Sequence, residues 1–405
     1  MRSPSKPHFP EPPTWVAELT SVGVTGTNGK TSTTRLLAAA LGSIARPALE
    51  VTTVGTALGG AELAVAKSYQ GTLAAVRTAL DRGARFAALE VTSEVLALGF
   101  AQRWPFHAGV FTNLTHDHLD AHGSPEHYFA SKAQLFHSLK PGGVAVVNGC
   151  DEVAELLCEV IAPSVTTLSY GIESRGAPQM PLDARAEVTG CDFEGTSLAV
   201  TFGERLGERT LALRTRAVGD IFGENALAAL VAACALGASP EAAADAIAAA
   251  PAPRGRFERV LSEPNVVVDY AHTPDALRRT LMTARRLTTS GSVSVVFGAG
   301  GNRDREKRPA MGAAAGLADR VFITSDNPRS EDPRQIADAI AAAVPAGVAL
   351  SVDLDREHAI ATAVRSAGPG DVVVIAGKGH ETEQHIGTER RAFSDADAAR
   401  RAIER

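Results

Sequence analysis

The chain has 405 residues, 45% of them hydrophobic and 21% charged, with a formal net charge of −6 at pH 7. This composition excludes disordered and collagen-like chains, no apolar run approaches the roughly 20 residues that cross a bilayer, and a mildly acidic chain is not typical of a general nucleic-acid-binding protein. The N-terminus lacks a secretory signal and the four cysteines are scattered, so we expect a cytoplasmic enzyme of two or three domains.

Strands and helices alternate along the first part of the chain. Residues 1–21 form a proline-rich tail for which we expect irregular structure. Buried strands are predicted at SVGVTG, FAALEVTS, AGVFTNL and GVAVVN, and helices at KTSTTRLLAAALG and TLAAVRTALDRG. This alternation predicts a mostly parallel sheet. After residue 150, TSLAVTFG and RTLALRT predict antiparallel strands, followed by Ala-rich helices at ENALAALVAACALG and SPEAAADAIAAA.

A second α/β series begins after the segment PAPRGR at 251–256, where two prolines and a glycine interrupt the helical pattern. Its predicted strands are NVVVDYA, SVSVVFG, RVFITS and DVVVIAG, with helices expected around 274–287, 307–318 and 356–367. We therefore predict an α/β protein with a central domain at 22–251 and a C-terminal domain at 252–405.

A phosphate-binding loop is indicated between the first strand and the first helix. The segment from Gly23 to Thr31 reads GVTGTNGKT. Glycines let backbone N–H groups approach phosphate oxygens, and a helix N-terminus favours anions. Lys30 is then expected to reach the β- and γ-phosphates and Thr31 to place its hydroxyl on Mg²⁺. The general pattern GxxxxGK[ST] needs glycine where Val24 stands, so the segment matches the pattern only at its GKT end while keeping its place between a strand and a helix.

Histidines cluster in the segment TNLTHDHLDAHG at 112–123, directly after the strand AGVF. One interpretation is a two-metal hydrolase, because HDHLDAH is close to the ligand string HxHxDH, although Ala121 stands where that string needs histidine. The other is a Mg²⁺ site beside a nucleotide, which the phosphate loop favours. Glu90, at the carboxyl end of the strand FAALE, suits the oxygen preference of Mg²⁺.

Eight motifs in order carry a resemblance to a known family: VGVTGTNGKTSTT, LEVTSE, FTNLTHDHLDAHGSPEHYFASK, RGRFE, DYAHTPDAL, FGAGGNRDREKRPAMG, SDNPRSEDP and GKGHE. Together they resemble the Mur ligase family, and most closely its branch that adds meso-diaminopimelate or lysine as the third residue of the muramyl peptide. The resemblance implies a P-loop central ATPase domain and a Rossmann-like C-terminal α/β domain. It also implies an ATP-dependent acid–amino-acid ligase that activates a carboxylate as an acyl phosphate and joins it to an amino acid.

The resemblance also assigns roles to residues. The residues that match the family's phosphate-binding positions are Gly26, Thr27, Asn28, Gly29, Lys30, Thr31 and Ser32. Those that match its adenosine-binding positions are Asn225, Arg256 and Asp269. Mg²⁺ falls to Thr31, Glu90, His118 and Lys132, the last as a carbamate that would turn a cation into an oxygen ligand. Lys30, Glu90, His118 and Lys132 are the expected catalytic residues. The incoming amino acid falls to Arg303, Asp326, Asn327, Arg329, Gly377 and Glu381, and the DNPR motif favours diaminopimelate because an arginine fork suits a carboxylate.

The chain departs from the family on the acceptor side. Only 22 residues precede Gly23, where family members carry a UDP-binding domain. The segment AVAKSYQGTLAA has no TTP motif, Glu94 replaces the histidine of EVSSH, and the FNxxN segment becomes IFGEN at 221–225, which lacks the first asparagine. Two further functions therefore stay open beside tripeptide synthesis: a ligase for a UDP-free carboxylate, and a nucleotide-binding subunit without ligase activity of its own. The expected partners are small-molecule carboxylates and amino acids, with no nucleic acid and no membrane; no partner protein is identified.

Overall fold

The computed structural model describes residues 9–115 and 123–404, which fold as two compact units. Unit 1 runs to Gly190 and also contains Gly195–Arg216 and Asp220–Pro251. Unit 2 contains the chain from Ala252 onward together with Cys191–Glu194 and Ala217–Gly219. Across the described ranges, no helix is long and apolar enough to cross a membrane.

The strands of unit 1 form one sheet in the order β11-β10-β9-β8-β7-β6-β1-β5-β2-β3-β4. Their bounds are β1 Thr20–Thr25, β2 Leu49–Val51, β3 Thr56–Leu58, β4 Ala61–Glu62, β5 Phe86–Glu90, β6 Phe106–Phe111, β7 Val144–Asn148, β8 Thr166–Gly171, β9 Ala184–Asp192, β10 Gly195–Phe202 and β11 Arg209–Thr215. Neighbours from β2 through β5, β1, β6 and β7 to β8 pair in parallel. Antiparallel pairs β2–β3, β3–β4 and β10–β11 flank this parallel centre.

Helices cover the sheet of unit 1. They are α1 Lys30–Leu41, α2 Tyr69–Asp81, α3 Ser93–Ala97, α4 Phe100–Arg103, α5 Pro125–His137, α6 Ala154–Glu159, α7 Asp220–Ala235 and α8 Pro240–Ala249. Two short 3-10 turns lie at Glu173–Arg175 and Glu204–Leu206. Helix α7 is buried along nearly its whole length and packs on α1 and α8, which explains why its Ala-rich sequence shows no polar face.

The N-terminal segment differs from the irregular tail that its prolines predict. Residues Thr14–Glu18 form a 3-10 turn, and Val16 and Leu19 are buried in the core of unit 1. The ring of Phe9 lies 5.2 Å from that of Phe100, and the Tyr69 hydroxyl donates to the Pro10 carbonyl over 3.0 Å. Apolar side chains between the prolines hold the segment on the surface of unit 1, and we call residues 9–19 the N-terminal strap.

Unit 2 is built on a second sheet in the order β12-β13-β17-β14-β15-β16. The bounds are β12 Glu258–Ser262, β13 Asn265–Asp269, β14 Val293–Phe297, β15 Arg320–Ile323, β16 Ala349–Val352 and β17 Val372–Ala376, with a hairpin of β18 Glu383–Ile386 and β19 Glu389–Ala392. All neighbours pair in parallel except β12 with β13 and the two strands of the hairpin.

The helices of unit 2 are α9 Pro274–Leu287, α10 Lys307–Ala315, α11 Pro333–Ala341, α12 Arg356–Arg365 and α13 Asp395–Glu404. Proline at the first position after a capping side chain begins several helices of both units, because that position needs no N–H donor. The cap–proline pairs are Ser124–Pro125, Ser239–Pro240, Thr273–Pro274 and Asp332–Pro333. The predicted α/β class with a mostly parallel first sheet and a Rossmann-like second sheet is confirmed.

Candidate functional site

The glycine-rich loop lies where the sequence predicts it, between the end of β1 at Thr25 and the start of α1 at Lys30. Gly29 precedes the helix with φ of 86°, a conformation that side chains rarely adopt. A Cβ at this position would also collide with the side-chain oxygen of Asn225. Position 29 therefore requires glycine for two reasons, and the loop N–H groups at the helix start remain approachable by an anion.

Polar groups after β6 hold the loop in place. The Thr27 amide donates to the Asn113 carbonyl over 2.8 Å, and the Asn28 amide donates to Asn113 Oδ1 over 2.9 Å. The Thr112 hydroxyl donates to the Asn28 carbonyl over 2.7 Å. Sequence analysis did not single out Thr112 or Asn113. Their role follows from the pairing of β1 with β6, which brings the ends of the two strands together.

The Thr27 hydroxyl is a second anchor of the loop. It accepts hydrogen bonds from the Thr115 amide over 2.9 Å and from the Tyr128 hydroxyl over 3.2 Å. It also donates to the Thr115 carbonyl over 3.2 Å. Tyr128 belongs to α5 and is buried. The sequence alone does not predict that Tyr128 contacts Thr27. The loop is thus tied both to the chain after β6 and to helix α5.

Two lysines bring positive charge to the same point of the loop. Lys30 Nζ donates to the carbonyls of Gly26 over 3.0 Å and Thr27 over 2.7 Å. Lys132, 1% exposed on α5, donates to the Gly26 carbonyl over 2.7 Å and lies 4.3 Å from the centre of the Tyr128 ring. Two ammonium groups on one carbonyl concentrate positive charge beside the helix N-terminus, which suits a polyanionic ligand.

Glu90 and Thr31 form an oxygen-rich pair beside the loop. Glu90 ends β5, whose parallel pairing with β1 places it next to Val24. The Thr31 hydroxyl donates to Glu90 Oε2 over 2.9 Å, and the Thr53 amide donates to the same oxygen over 3.1 Å. A hydroxyl and a carboxylate are ligand types that Mg²⁺ prefers, so the donor set fits this ion. His118 lies in residues 116–122, outside the described residues.

Asn225 on α7 completes this side of the site. It is 2% exposed and its side-chain oxygen faces Gly29. Its Nδ2 is buried and has no hydrogen-bond partner in the described part of the chain. A buried unpaired donor costs about 1–3 kcal/mol, which an acceptor on a bound ligand would offset. This orphaned donor beside the glycine loop fits a nucleotide.

In unit 2, Arg256 and Asp269 meet around a tight turn. The Asp269 carboxylate accepts the Phe257 amide over 2.6 Å and the Ala271 amide over 2.8 Å. Burial raises the pKa of Asp269, and the charge of Arg256 opposes this shift. The Arg256 guanidinium lies 4.4 Å from the centre of the Tyr270 ring. Asp269 therefore holds the turn that carries Arg256, while Arg256 presents its planar group on an aromatic face.

The DNPR segment and the GKGHE segment come together in unit 2. Asn327 Nδ2 donates to Glu381 Oε2 over 3.0 Å, and Lys378 Nζ donates to Asn327 Oδ1 over 3.1 Å and to Glu381 Oε2 over 2.9 Å. Burial acts to raise the pKa of Glu381, but Lys378 and Asn327 together hold it below its usual value. Gly377 approaches Asp326 closely, since a Cβ there would lie 2.6 Å from Asp326 Oδ2. The predicted residues Asp326, Asn327, Gly377 and Glu381 thus form one cluster.

Burial also affects the ionisation of Asp326. It raises the pKa of this carboxyl, and the cations of Arg356 and Lys378 oppose the shift. Arg356 forms a fully buried pair with Asp395, with Nε 2.7 Å from Oδ1 and Nη2 2.8 Å from Oδ2. Sequence analysis missed Lys378, Arg356 and Asp395, because nothing in a linear pattern shows that their charges are buried together.

Arg329 and Arg303 lie at a neighbouring point of unit 2. Arg329 has φ of 52°, which is unusual for a residue with a side chain and indicates local strain. Its amide donates to the His385 carbonyl over 3.1 Å and its Nη1 donates to the Gly301 carbonyl over 2.7 Å. The side chains of Arg303 and Arg329 both lie beside Gly300. The Arg329 guanidinium lies closest to Gly300, with the aliphatic stem of Arg303 beside it, and an arginine at such a point suits recognition of a carboxylate.

Residues 24–233 match the model described as the Mur ligase middle domain, and residues 255–379 match the Mur ligase, glutamate ligase domain. The chain is 43% identical over 396 residues to the UDP-N-acetylmuramoyl-L-alanyl-D-glutamate--2,6-diaminopimelate ligase of Thermosynechococcus vestitus, covering 95% of this chain and 77% of that protein. It is 40% identical over 395 residues to the protein of the same name from Geobacillus thermodenitrificans, covering 94% and 78%.

Solved structures agree. One structure of a UDP-N-acetylmuramoyl-L-alanyl-D-glutamate--2,6-diaminopimelate ligase is 34% identical with a TM-score of 0.64, covering 95% of this chain and 78% of that one. FolC from E. coli, solved with DHPP and ADP, has a TM-score of 0.70 at 21% identity, covering 99% and 94%, and shows a shared fold. The two family models span most of both units, and the chain therefore belongs to the Mur ligase family of ATP-dependent, amide-forming ligases.

Proposed function

We propose that this chain joins 2,6-diaminopimelate to UDP-N-acetylmuramoyl-L-alanyl-D-glutamate in an ATP-dependent reaction. The observation that carries the proposal is the extent of the likeness: relatives named for this activity align over 95% of the chain, through the phosphate loop of unit 1 and the DNPR and GKGHE segments of unit 2. We assign the phosphates of the nucleotide to residues 22–251, and the incoming amino acid to residues 252–405, which also supply Arg256 and Asp269 for the adenosine part.

On the nucleotide side, the Gly26–Ser32 loop holds the phosphates through the Lys30 ammonium and through those loop amides that do not already donate to Asn113. The buried Asn225 Nδ2 donates to the bound nucleotide, and Arg256 with Asp269 serves its adenosine part. ATP transfers its γ-phosphoryl group to a carboxylate, giving ADP and an acyl phosphate; the amino group of the second substrate then attacks the acyl carbon, forming the amide and releasing inorganic phosphate. The chain itself contributes position and charge: the Lys30 ammonium stabilises negative charge on the transferring group.

For the metal, Thr31 and Glu90 are the proposed first ligands, because they already share a hydrogen bond beside the loop. His118 and Lys132 complete the set. Lys132 as an ammonium would repel a divalent cation, whereas its carbamate would offer an anionic oxygen. Its Nζ lies 2.7 Å from the Gly26 carbonyl, at the phosphate loop where such a ligand is needed. When bound, Mg²⁺ neutralises phosphate charge.

For the amino acid, Arg303 and Arg329 grip a carboxylate of diaminopimelate. Glu381, whose pKa is lowered by Lys378 and Asn327 against the effect of burial, stays ionised at neutral pH and attracts an ammonium group. Asp326, Asn327 and Gly377 shape the same cluster. The juxtaposition of paired arginines and an ionised carboxylate matches a ligand that carries charges of both signs.

The test is phosphate release from Mg-ATP with mass spectrometry of the products. Purified protein receives 2,6-diaminopimelate with either UDP-N-acetylmuramoyl-L-alanyl-D-glutamate or a mixture of UDP-free carboxylates. We expect turnover and a mass increase of the UDP substrate by one diaminopimelyl residue. Turnover with a UDP-free acid alone would replace the acceptor in the proposal, and nucleotide binding without any turnover would support a binding subunit instead.

A further inference from the structure

The first turn of α7 carries a buried ionic cluster that neither the resemblance nor the proposed function uses. Glu224, immediately before Asn225, is 3% exposed. Its Oε1 lies 2.9 Å from Arg175 Nε, and Arg175 Nη1 donates to Asp220 Oδ1 over 3.1 Å. The side chains of Arg175 and Glu224 are 5% and 4% exposed. Charged residues are rarely buried to this degree unless they are paired.

The negative charge of Glu224 acts on its surroundings. Burial raises the pKa of Asp151 to about 6, and Glu224 adds to this shift. Burial raises the pKa of Tyr170 as well, again with a contribution from Glu224. Asp151 Oδ2 accepts the amide of Leu114, which directly follows the residue that holds the phosphate loop. The field of Glu224 therefore extends to the segment that supports the loop.

Glu224 is also tied to the loop through its neighbour. Asn225 faces Gly29, so the first turn of α7 lies against the glycine loop. The cluster around Arg175 contains two carboxylates of α7, with Asp151 and the Cys150 thiol also within the reach of Glu224. Removing the Arg175 charge would leave a buried carboxylate beside a loop that receives phosphates. Repulsion between like charges is strong where the surroundings are partly buried.

We propose that Arg175 is a charge-balancing residue for nucleotide binding, because it neutralises Glu224, which directly precedes the Asn225 that faces the phosphate loop. The inference rests on the proposed nucleotide role of this loop. Arg175 comes from the 3-10 turn Glu173–Arg175, far from the loop in sequence, so it acts on the nucleotide only through α7.

The test measures the Kd of Mg-ATP by isothermal titration calorimetry at low ionic strength, on full-length variants whose folding is checked by circular dichroism. We expect Arg175→Met to raise the Kd by about tenfold or more, since it leaves Glu224 unbalanced. The double variant Arg175→Met/Glu224→Gln restores the Kd to within about threefold, as does Arg175→Lys, which keeps the charge. The matched control is Arg185→Met on β9, which breaks an exposed pair with Glu173 of the same 3-10 turn.

Each outcome decides the point. An unchanged Kd for Arg175→Met, or a double variant as weak as the single one, overturns the inference. If Arg175→Met does not fold, Glu224→Gln decides, because it removes the negative charge and is expected to bind Mg-ATP at least as tightly as the wild type. A tenfold weaker Kd for that variant would overturn the inference. A wild-type protein that binds no ATP at all would instead contradict the proposed function.

Discussion

The two units build their sites with different kinds of contact. In unit 1 the phosphate loop is held by neutral groups, the hydroxyls and amides of Thr27, Thr112 and Asn113, while two ammonium groups point at its carbonyls. In unit 2 the cluster around Asn327 is held by ion pairs, among them Lys378–Glu381. Because neutral groups hold the loop of unit 1, the charge of its lysines is left for a polyanionic ligand. In unit 2 the positive and negative side chains of the cluster balance each other, which suits a ligand that carries both positive and negative groups.

The largest expected effect comes from removing positive charge at the phosphate loop of unit 1. Lys30→Ala removes an ammonium that lies on the Gly26 and Thr27 carbonyls, so we expect ATP turnover to fall by on the order of a thousandfold. Phosphate release measures it. Lys140→Ala is the control, since Lys140 contacts His107 away from the loop. A similar loss in both variants would contradict the assignment.

The role of ion pairs in unit 2 is tested at the fully buried pair of Arg356 and Asp395. Arg356→Met leaves Asp395 as an unpaired charge in the core, which is expected to cost about 3–5 kcal/mol in the free energy of unfolding. Chemical denaturation measures the change. The double variant Arg356→Met/Asp395→Leu removes both charges and should recover most of the loss. A double variant less stable than the single one would show that the pair itself is indispensable.

The two sites should respond separately to a change at the ligand contact of unit 2. Arg329→Ala removes one guanidinium beside Gly300, and we expect the KM for the amino acid to rise by about a hundredfold while the KM for ATP changes little. Steady-state kinetics with each substrate varied in turn measures both constants. Equal increases in the two KM values would contradict the placement of Arg329 on the amino-acid side.

A smaller effect probes the close approach of α7 to the loop. Gly29→Ala brings a methyl group onto the Asn225 oxygen, so the KM for ATP should rise by about tenfold. Gly60→Ala is a matched control, because Gly60 has the same φ of 86° but open space around it. If both variants change the KM equally, backbone strain and not the contact with Asn225 is responsible.

The last prediction concerns the pH dependence of stability. Burial raises the pKa of Asp151 from 3.8 to about 6, so the folded state binds its proton more tightly than the unfolded chain. The contribution of Asp151 to the free energy of unfolding is then fully present below about pH 4 and is lost as the pH rises to about 6, a change of up to about 3 kcal/mol from this group. Asp151→Asn should flatten the profile over this interval, as measured by denaturation at each pH. Asp245→Asn, an exposed site on α8, should leave it unchanged.

The sequence predicts the frame of both units but not all their strands. Runs such as VVVDY and VSVVF are continuous and β-branched because β13 and β14 are buried inside a parallel sheet. The sequence does not predict some strands, including β3, β4 and β16. These strands are short and partly exposed at or near sheet edges, where neither alternation nor a long apolar run is required.

The sites divide in the same way. The loop from Gly26 to Ser32 and the DNPR segment are local motifs, so their residues could be named from the sequence. Asn113 and Tyr128 contact the loop, and Arg175 contacts Glu224 on α7, from parts of the chain that only folding brings together. Lys378 sat inside a recognised motif, but its burial and its pairing with Glu381 depend on packing.

The N-terminal strap has a consequence for spectroscopy. The chain has two tryptophans, and both belong to unit 1: Trp15 lies in the strap, and Trp104 is buried in the aromatic group that the strap joins through Phe9. Unit 2 has none. Tryptophan fluorescence therefore follows the unfolding of unit 1 alone, whereas circular dichroism follows both units. Overlaying the two signals in one denaturation series would show whether the halves of this ligase melt together or one after the other.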